Sequence, residues 1–78
     1  PNPFNPTTTI SYNLPKDSDV NISIYDISGR LVNELVNNQV EAGYNKVVWN
    51  ASNVATGIYI VKLKAGDYTS VRKMMLVK

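Results

Sequence analysis

Cysteine and histidine are both absent from this chain. The first absence excludes a disulfide scaffold, a thiolate zinc site and a thiol nucleophile. The second removes the commonest general base and the commonest metal ligand. Long apolar runs are missing as well. No stretch approaches the roughly 18 residues that suggest a membrane-spanning helix, so no membrane span is expected. The opening residues are prolines rather than the apolar run of a secretory signal. The chain also lacks an initiating methionine, which points to a fragment or processed product with any export signal upstream. Excess charge of either sign is small, with a net charge of +2 and an isoelectric point near 9.1. A strong DNA binder neutralises roughly 6–10 phosphates, so no nucleic-acid partner is expected.

With 78 residues the chain suits one domain, residues 1–78, and has no room for two. A domain of this size buries only about 60% of its unfolded surface, which leaves a thin stability margin. Without disulfides, the core has to come from apolar packing and sheet hydrogen bonds. Three of the four prolines fall in Pro1 to Pro6. They forbid a helix there and favour extended or turn geometry. Residues 1–7 read as an extended proline-rich arm or a linker end, with Phe4 as its apolar anchor.

Beyond the arm, apolar and polar residues alternate. Thr8 to Leu14 places Ile10, Tyr12 and Leu14 on one face and Thr9, Ser11 and Asn13 on the other, as in a half-buried strand. Pro15-Lys16-Asp17-Ser18 then supplies turn chemistry. Val20 to Asp26 repeats the alternation, with Val20, Ile22 and Ile24 inward and Asn21, Ser23 and Tyr25 outward. Gly29 provides the left-handed conformation that a short bulged hairpin loop needs. Leu31 to Val36 is ambiguous, because Leu31 with Leu35 and Val32 with Val36 also fit helical spacing. Its shortness and flanking turns favour a strand. Asn37-Asn38 reads as a loop and Ala42-Gly43 as a turn. Tyr44 to Asn50 carries Val47 and Trp49 on one face. Asn53 to Gly57 is a loop ended by glycine. Ile58 to Lys64 is the strongest strand, with Tyr59, Val61 and Leu63 inward and Lys62 and Lys64 outward. Gly66-Asp67 makes a tight hairpin into a last strand, Tyr68 to Val77.

The register of that hairpin has two solutions. A two-residue loop sets Val61 opposite Arg72, whereas a three-residue loop sets Val61 opposite Val71. A slip of one residue exchanges the faces of the whole strand. We expect the second solution, because it also turns Met75 and Val77 inward. The pattern as a whole reads as all-β, an immunoglobulin-like antiparallel β-sandwich of about seven short strands. Its expected core is Ile10, Tyr12, Ile22, Ile24, Trp49, Tyr59, Val61 and Leu63. Gly29, Gly57 and Gly66 are its expected structural turns.

No catalytic site is legible. Asp17, Asp19, Asp26, Glu34, Glu41 and Asp67 fall mostly in turns, where Asp is favoured for its local hydrogen bonds. Asp17 and Asp19 offer oxygen ligands for calcium, but too few of them. The isolated glycines open no helix and form no phosphate loop. No cofactor and no metal are expected. Five tyrosines and Trp49 raise carbohydrate stacking, yet Tyr12, Tyr59 and Trp49 fall on core faces. Lys62, Lys64, Arg72, Lys73 and Lys78 are five of the eight positive charges and lie late in the chain. They read either as a solvated face that discourages edge pairing or as a docking patch for an acidic or polar partner.

Four segments in order are quite specific together. They are Pro1-Asn-Pro-Phe-Asn-Pro-Thr-Thr-Thr-Ile-Ser-Tyr12, Ile24-Tyr-Asp-Ile-Ser-Gly-Arg-Leu-Val32, Thr56-Gly-Ile-Tyr-Ile-Val-Lys-Leu63 and Arg72-Lys-Met-Met-Leu-Val-Lys78. Their order and spacing resemble the type A C-terminal sorting domain of type IX secretion cargo, across essentially the whole chain. The chain is also similar to the immunoglobulin-like domain of flagellar hook-capping proteins. The resemblance implies a non-catalytic module at the end of a larger cargo protein. Such cargo passes through the periplasm, and an outer-membrane translocon recognises the folded module. A secreted or cell-surface location follows, in many cases with removal by a sortase-like protease. Lys73, Met74, Met75, Leu76, Val77 and Lys78 match the family's terminal export motif. Gly29-Arg30 matches its hairpin turn and Gly57-Ile58-Tyr59 the entry to its penultimate strand. A last strand of alternating apolar and basic residues also offers an edge to which a partner can add a strand. Two other roles stay open. One is a structural domain that self-associates into extracellular assemblies or filaments. The other is a carbohydrate-binding accessory module.

Overall fold

The computed structural model describes residues 7–77. Six strands and no helix occupy them: β1 (Thr7–Leu14), β2 (Ser18–Asp26), β3 (Leu31–Val40), β4 (Gly43–Asn50), β5 (Gly57–Ala65) and β6 (Tyr68–Leu76). About seven strands were expected. Thr7, read as part of the arm, instead opens β1 opposite Asn50. The rest of the expected arm, Pro1 to Pro6, lies outside the described residues.

All pairings are antiparallel. β1 and β4 form one layer, and the other four strands form a second in the order β3-β2-β5-β6. The two layers make a sandwich. Its core follows from the alternation of the central strands. β2 turns Val20, Ile22 and Ile24 inward, and β5 turns Tyr59, Val61, Leu63 and Ala65 the same way; all are buried. Cross-strand pairing sets Ile22 against Leu63 and Ile24 against Val61. Branched side chains directly opposite one another are the unit that stabilises a sheet. The smaller layer contributes Leu14 and Trp49, and Ala51 follows just after β4. Ile10 and Tyr12, also expected in the core, are half-buried and pack against its margin.

Trp49 is only 1% exposed. Its ring meets that of Tyr59 edge to face, with centroids 5.4 Å apart. Both polar tips are satisfied, as buried polar groups require. The Trp49 indole N–H donates to Asn33 Oδ1 at 3.3 Å, and the Tyr59 hydroxyl donates to the Ala55 carbonyl at 2.6 Å.

The ambiguous segment is a strand, and a longer one than expected. β3 runs through Asn37-Asn38, which is therefore not a loop; the turn comes at Glu41-Ala42. Its register against β2 shifts twice. Val36 faces Ile22 but Glu34 faces Ser23, and Asn33 faces Ile24 but Leu31 faces Tyr25. Leu35 and Val32 are the extra residues at these bulges. A bulge puts two residues opposite one and resets the alternation. Val32, Leu35, Val36 and Val40 thus all pack against the core, with a spacing that imitates a helix in sequence. Ser23 departs from expectation in another way. It lies on the outward face yet is buried, flanked across the sheet by Glu34 and Lys62. Its hydroxyl donates to Asn21 Oδ1 at 2.7 Å.

The last hairpin takes the register that was not preferred. Ala65 faces Tyr68 and Val61 faces Arg72, so Gly66-Asp67 is a two-residue loop. Gly66 has φ 60 and, among the described residues, no non-glycine residue has a positive φ, the pattern of a type II′ turn. That turn twists with its strands and holds the short loop. Ser70, Arg72, Met74 and Leu76 consequently share the inward side. Val71 is 60%, Met75 68% and Val77 61% exposed, whereas the preferred register turned all three inward. Met74 to Val77 is apolar at both parities, so its hydrophobic pattern selects neither register. Gly57, expected as a structural turn, opens β5 without a positive φ. Gly43 has φ 109 and turns the chain into β4.

Trp49→Ala should cost about 3–5 kcal/mol of stability. Urea unfolding measures it. A loss below about 1 kcal/mol would mean that the ring is not the centre of the core.

Candidate functional site

The last strand is an edge. β6 pairs with β5 alone, so the backbone groups on its far side have no sheet partner among the described residues. On the outward face, Thr69, Val71, Lys73 and Met75 of β6 stand opposite Lys64, Lys62, Ile60 and Ile58 of β5. Lysines and exposed apolar side chains are therefore interleaved there. On the inward face, Met74 and Leu76 pack against the margin of the core. The predicted cation cluster is divided by the pleat. Lys62, Lys64 and Lys73 share the outward face, whereas Arg72 belongs to the inward one. Lys78 lies outside the described residues. Of the expected export residues, Lys73 to Leu76 are in β6 and Val77 follows it. Only Arg30 and Asp26 form an ion pair among the described residues.

Of the other candidate acids, Asp17, Asp26 and Glu34 are engaged by hydrogen bonds. Asp17 Oδ1 accepts from the Ala42 N–H at 2.8 Å, tying the β1–β2 loop to the β3–β4 turn. No three acidic side chains come together among the described residues. Among the described residues, the aromatic side chains do not form a platform. Trp49 and Tyr59 are buried and Tyr12 is half-buried, and burial pushes the Tyr12 phenol above its ordinary range. Tyr44 and Tyr68 are exposed, but on different layers.

The sequence matches the family described as the secretion system C-terminal sorting domain, over residues 1–78. The chain belongs to this family. Sorting domains of this kind are C-terminal signals for type IX secretion and act as non-catalytic targeting modules. The protein that carries one is secreted or displayed at the cell surface. No curated protein and no solved structure matches the chain.

The second motif of the sorting domain, Ile24 to Val32, is built around one carboxylate. Asp26 Oδ1 accepts from the Ser28 hydroxyl at 2.6 Å, the Ser28 N–H at 2.9 Å and the Arg30 N–H at 3.0 Å. Asp26 Oδ2 accepts from Arg30 Nε at 3.1 Å. Gly29 at φ 91 lets the backbone close beneath them. The Ser28 hydroxyl, helped by the backbone N–H groups and the Arg30 charge, lowers the Asp26 carboxyl to about 2. These residues hold the β2–β3 hairpin. Asp-x-Ser-Gly is a sequence signal for such a turn that the reading from Gly29 alone left out, though it does not tell a hairpin clamp from an exposed loop.

Because Asp26 titrates lower folded than unfolded, its contribution to stability is present above the unfolded carboxylate range. It is lost as pH falls from about 4 through about 2. Thermal melts across that range should drop more steeply for the parent chain than for Asp26→Asn. Parallel slopes would show that the clamp does not exist in solution.

Proposed function

We propose that the outer-membrane translocon of the type IX system recognises this module through the β6 edge. Residues 1–78 act as one folded unit carried by a larger cargo protein, which reaches the translocon through the periplasm. The observation that carries this reading is the exposed edge of β6, with Val71, Lys73 and Met75 on its outward face. An unpaired strand offers backbone hydrogen bonds, and alternate side chains give specificity. Within the motif Lys73 to Lys78, the residues divide in role. Lys73 and Met75 meet the partner. Met74 and Leu76 act indirectly, by seating β6 on the core. Val77 and Lys78 extend the recognised stretch. Surface attachment, or removal by a sortase-like protease, follows recognition. The module does no chemistry of its own.

The test is export of a periplasm-targeted fluorescent reporter fused to this module, in a bacterium with a working type IX system. Deleting Lys73 to Lys78 should leave the reporter in the periplasm. Val71→Glu with Met75→Glu should do the same while circular dichroism shows an intact fold, since both side chains are exposed. Normal export of that folded double variant would exclude the β6 face as the recognised surface. Retention of the unmodified fusion would sink the sorting role in that host.

A further inference from the structure

The sandwich is open along one side. β1 pairs only with β4 and β6 only with β5, and both strands border the same gap between the layers. A groove of about 550 Å3 runs there, lined among others by Tyr12, Leu14, Leu63, Ser70 and Arg72. A second of about 270 Å3 adjoins it, lined by Ile10, Val61, Arg72 and Met74 among others. On the other side, the Trp49–Asn33 hydrogen bond links β4 to β3. Seven-stranded immunoglobulin-like sandwiches keep at least three strands in each layer. Here one layer has two among the described residues, and the vacant place lies beside β1.

The four sheet edges are not alike. Edge strands are ordinarily protected by charges, prolines or bulges. β3 has two register shifts, β4 carries Lys46, and β6 carries Arg72 and Lys73. β1 has no charge, no proline and no bulge, and it pairs with β4 without a shift from Thr7 to Leu14. It is the one edge among the described residues with none of these protections. The gap beside it also holds an uncompensated cation. The Arg72 side chain makes no ion pair or hydrogen bond among the described residues, although it lines both grooves.

We propose that this gap receives an extended segment of a partner chain, which adds a third strand to β1 and brings a carboxylate to Arg72. The backbone of the segment would pair with the free N–H and C=O groups of β1. Its inward side chains would be apolar against Ile10, Tyr12, Leu63 and Met74, with one Asp or Glu among them. A guanidinium binds a carboxylate through two parallel hydrogen bonds, which fixes the register of the incoming strand. A second copy of this chain is a poor occupant. Its edges β1 and β4 have no acid, its edge β6 brings further cations, and its edge β3, which carries Glu34, is interrupted by two register shifts. The site lies on the inward side of β6 and does not depend on export through its outward face.

The probe is a blocked peptide of about eight residues, alternating valine and threonine, with a glutamate at one central valine position. A glutamine counterpart serves as its control. Amide exchange and chemical shifts of the 78-residue chain report the outcome. The glutamate peptide should slow exchange at alternate β1 amides and bind about tenfold more tightly than the glutamine peptide. Arg72→Gln, at an exposed position, should keep the fold and abolish that difference. Equal binding of the two peptides, or no protection of β1, would overturn the proposal. So would a dimer of the unliganded chain with β1 protected, since a second copy would then fill the gap.

Discussion

Pairing between β2 and β5 joins two local hairpins into one sheet, and the remaining structure is arranged around that contact. β2–β3 and β5–β6 each close through a short turn. β2–β5 brings together residues as distant in sequence as Val20 and Ala65. Closing so long a loop costs entropy before any contact repays it. The return comes from Ile22 on Leu63 and Ile24 on Val61, and from the Trp49–Tyr59 contact laid over them from the other layer. Weakening this centre separates the hairpins, and with them the platform that holds β6 in place.

What is left at the margins follows from the small size of the chain. Among the described residues, four strands fill one layer and two the other, so the smaller layer does not cover the larger completely. Among the described residues, the β4 and β6 edges carry charges and the β3 edge carries bulges, whereas β1 has neither. A targeting module has reason to keep an edge available, because backbone pairing gives a partner affinity without a deep pocket. The outward face of β6 and the gap beside β1 are two consequences of the same economy of strands.

Much of this was legible in the residues. Strict alternation in Thr8 to Leu14, Val20 to Asp26 and Ile58 to Lys64 located three strands, because a period of two has no other common cause in short segments. Trp49, Ile22 and Ile24 were readable as core for the same reason. Legibility failed where two signals competed. Val32, Leu35 and Val36 share a buried side only because two bulges intervene, and bulges leave no mark in hydrophobicity. Met74 to Val77 is apolar on both faces, so its direction came from the II′ turn at Gly66. Ser23 is polar and on the outward side, yet it is buried between its cross-strand neighbours Glu34 and Lys62.

The sequence by itself determined the all-β class, most strand positions and the family of the chain, since these follow from local alternation, turn residues and ordered motifs. Tertiary structure alone decided which side of β6 each residue occupies, how the cations are divided and which edge stands unprotected. The physical reason is that strand pairing has a period of two. One turn residue or one bulge reverses every side chain beyond it, and no count of apolar residues reveals where that reversal occurs.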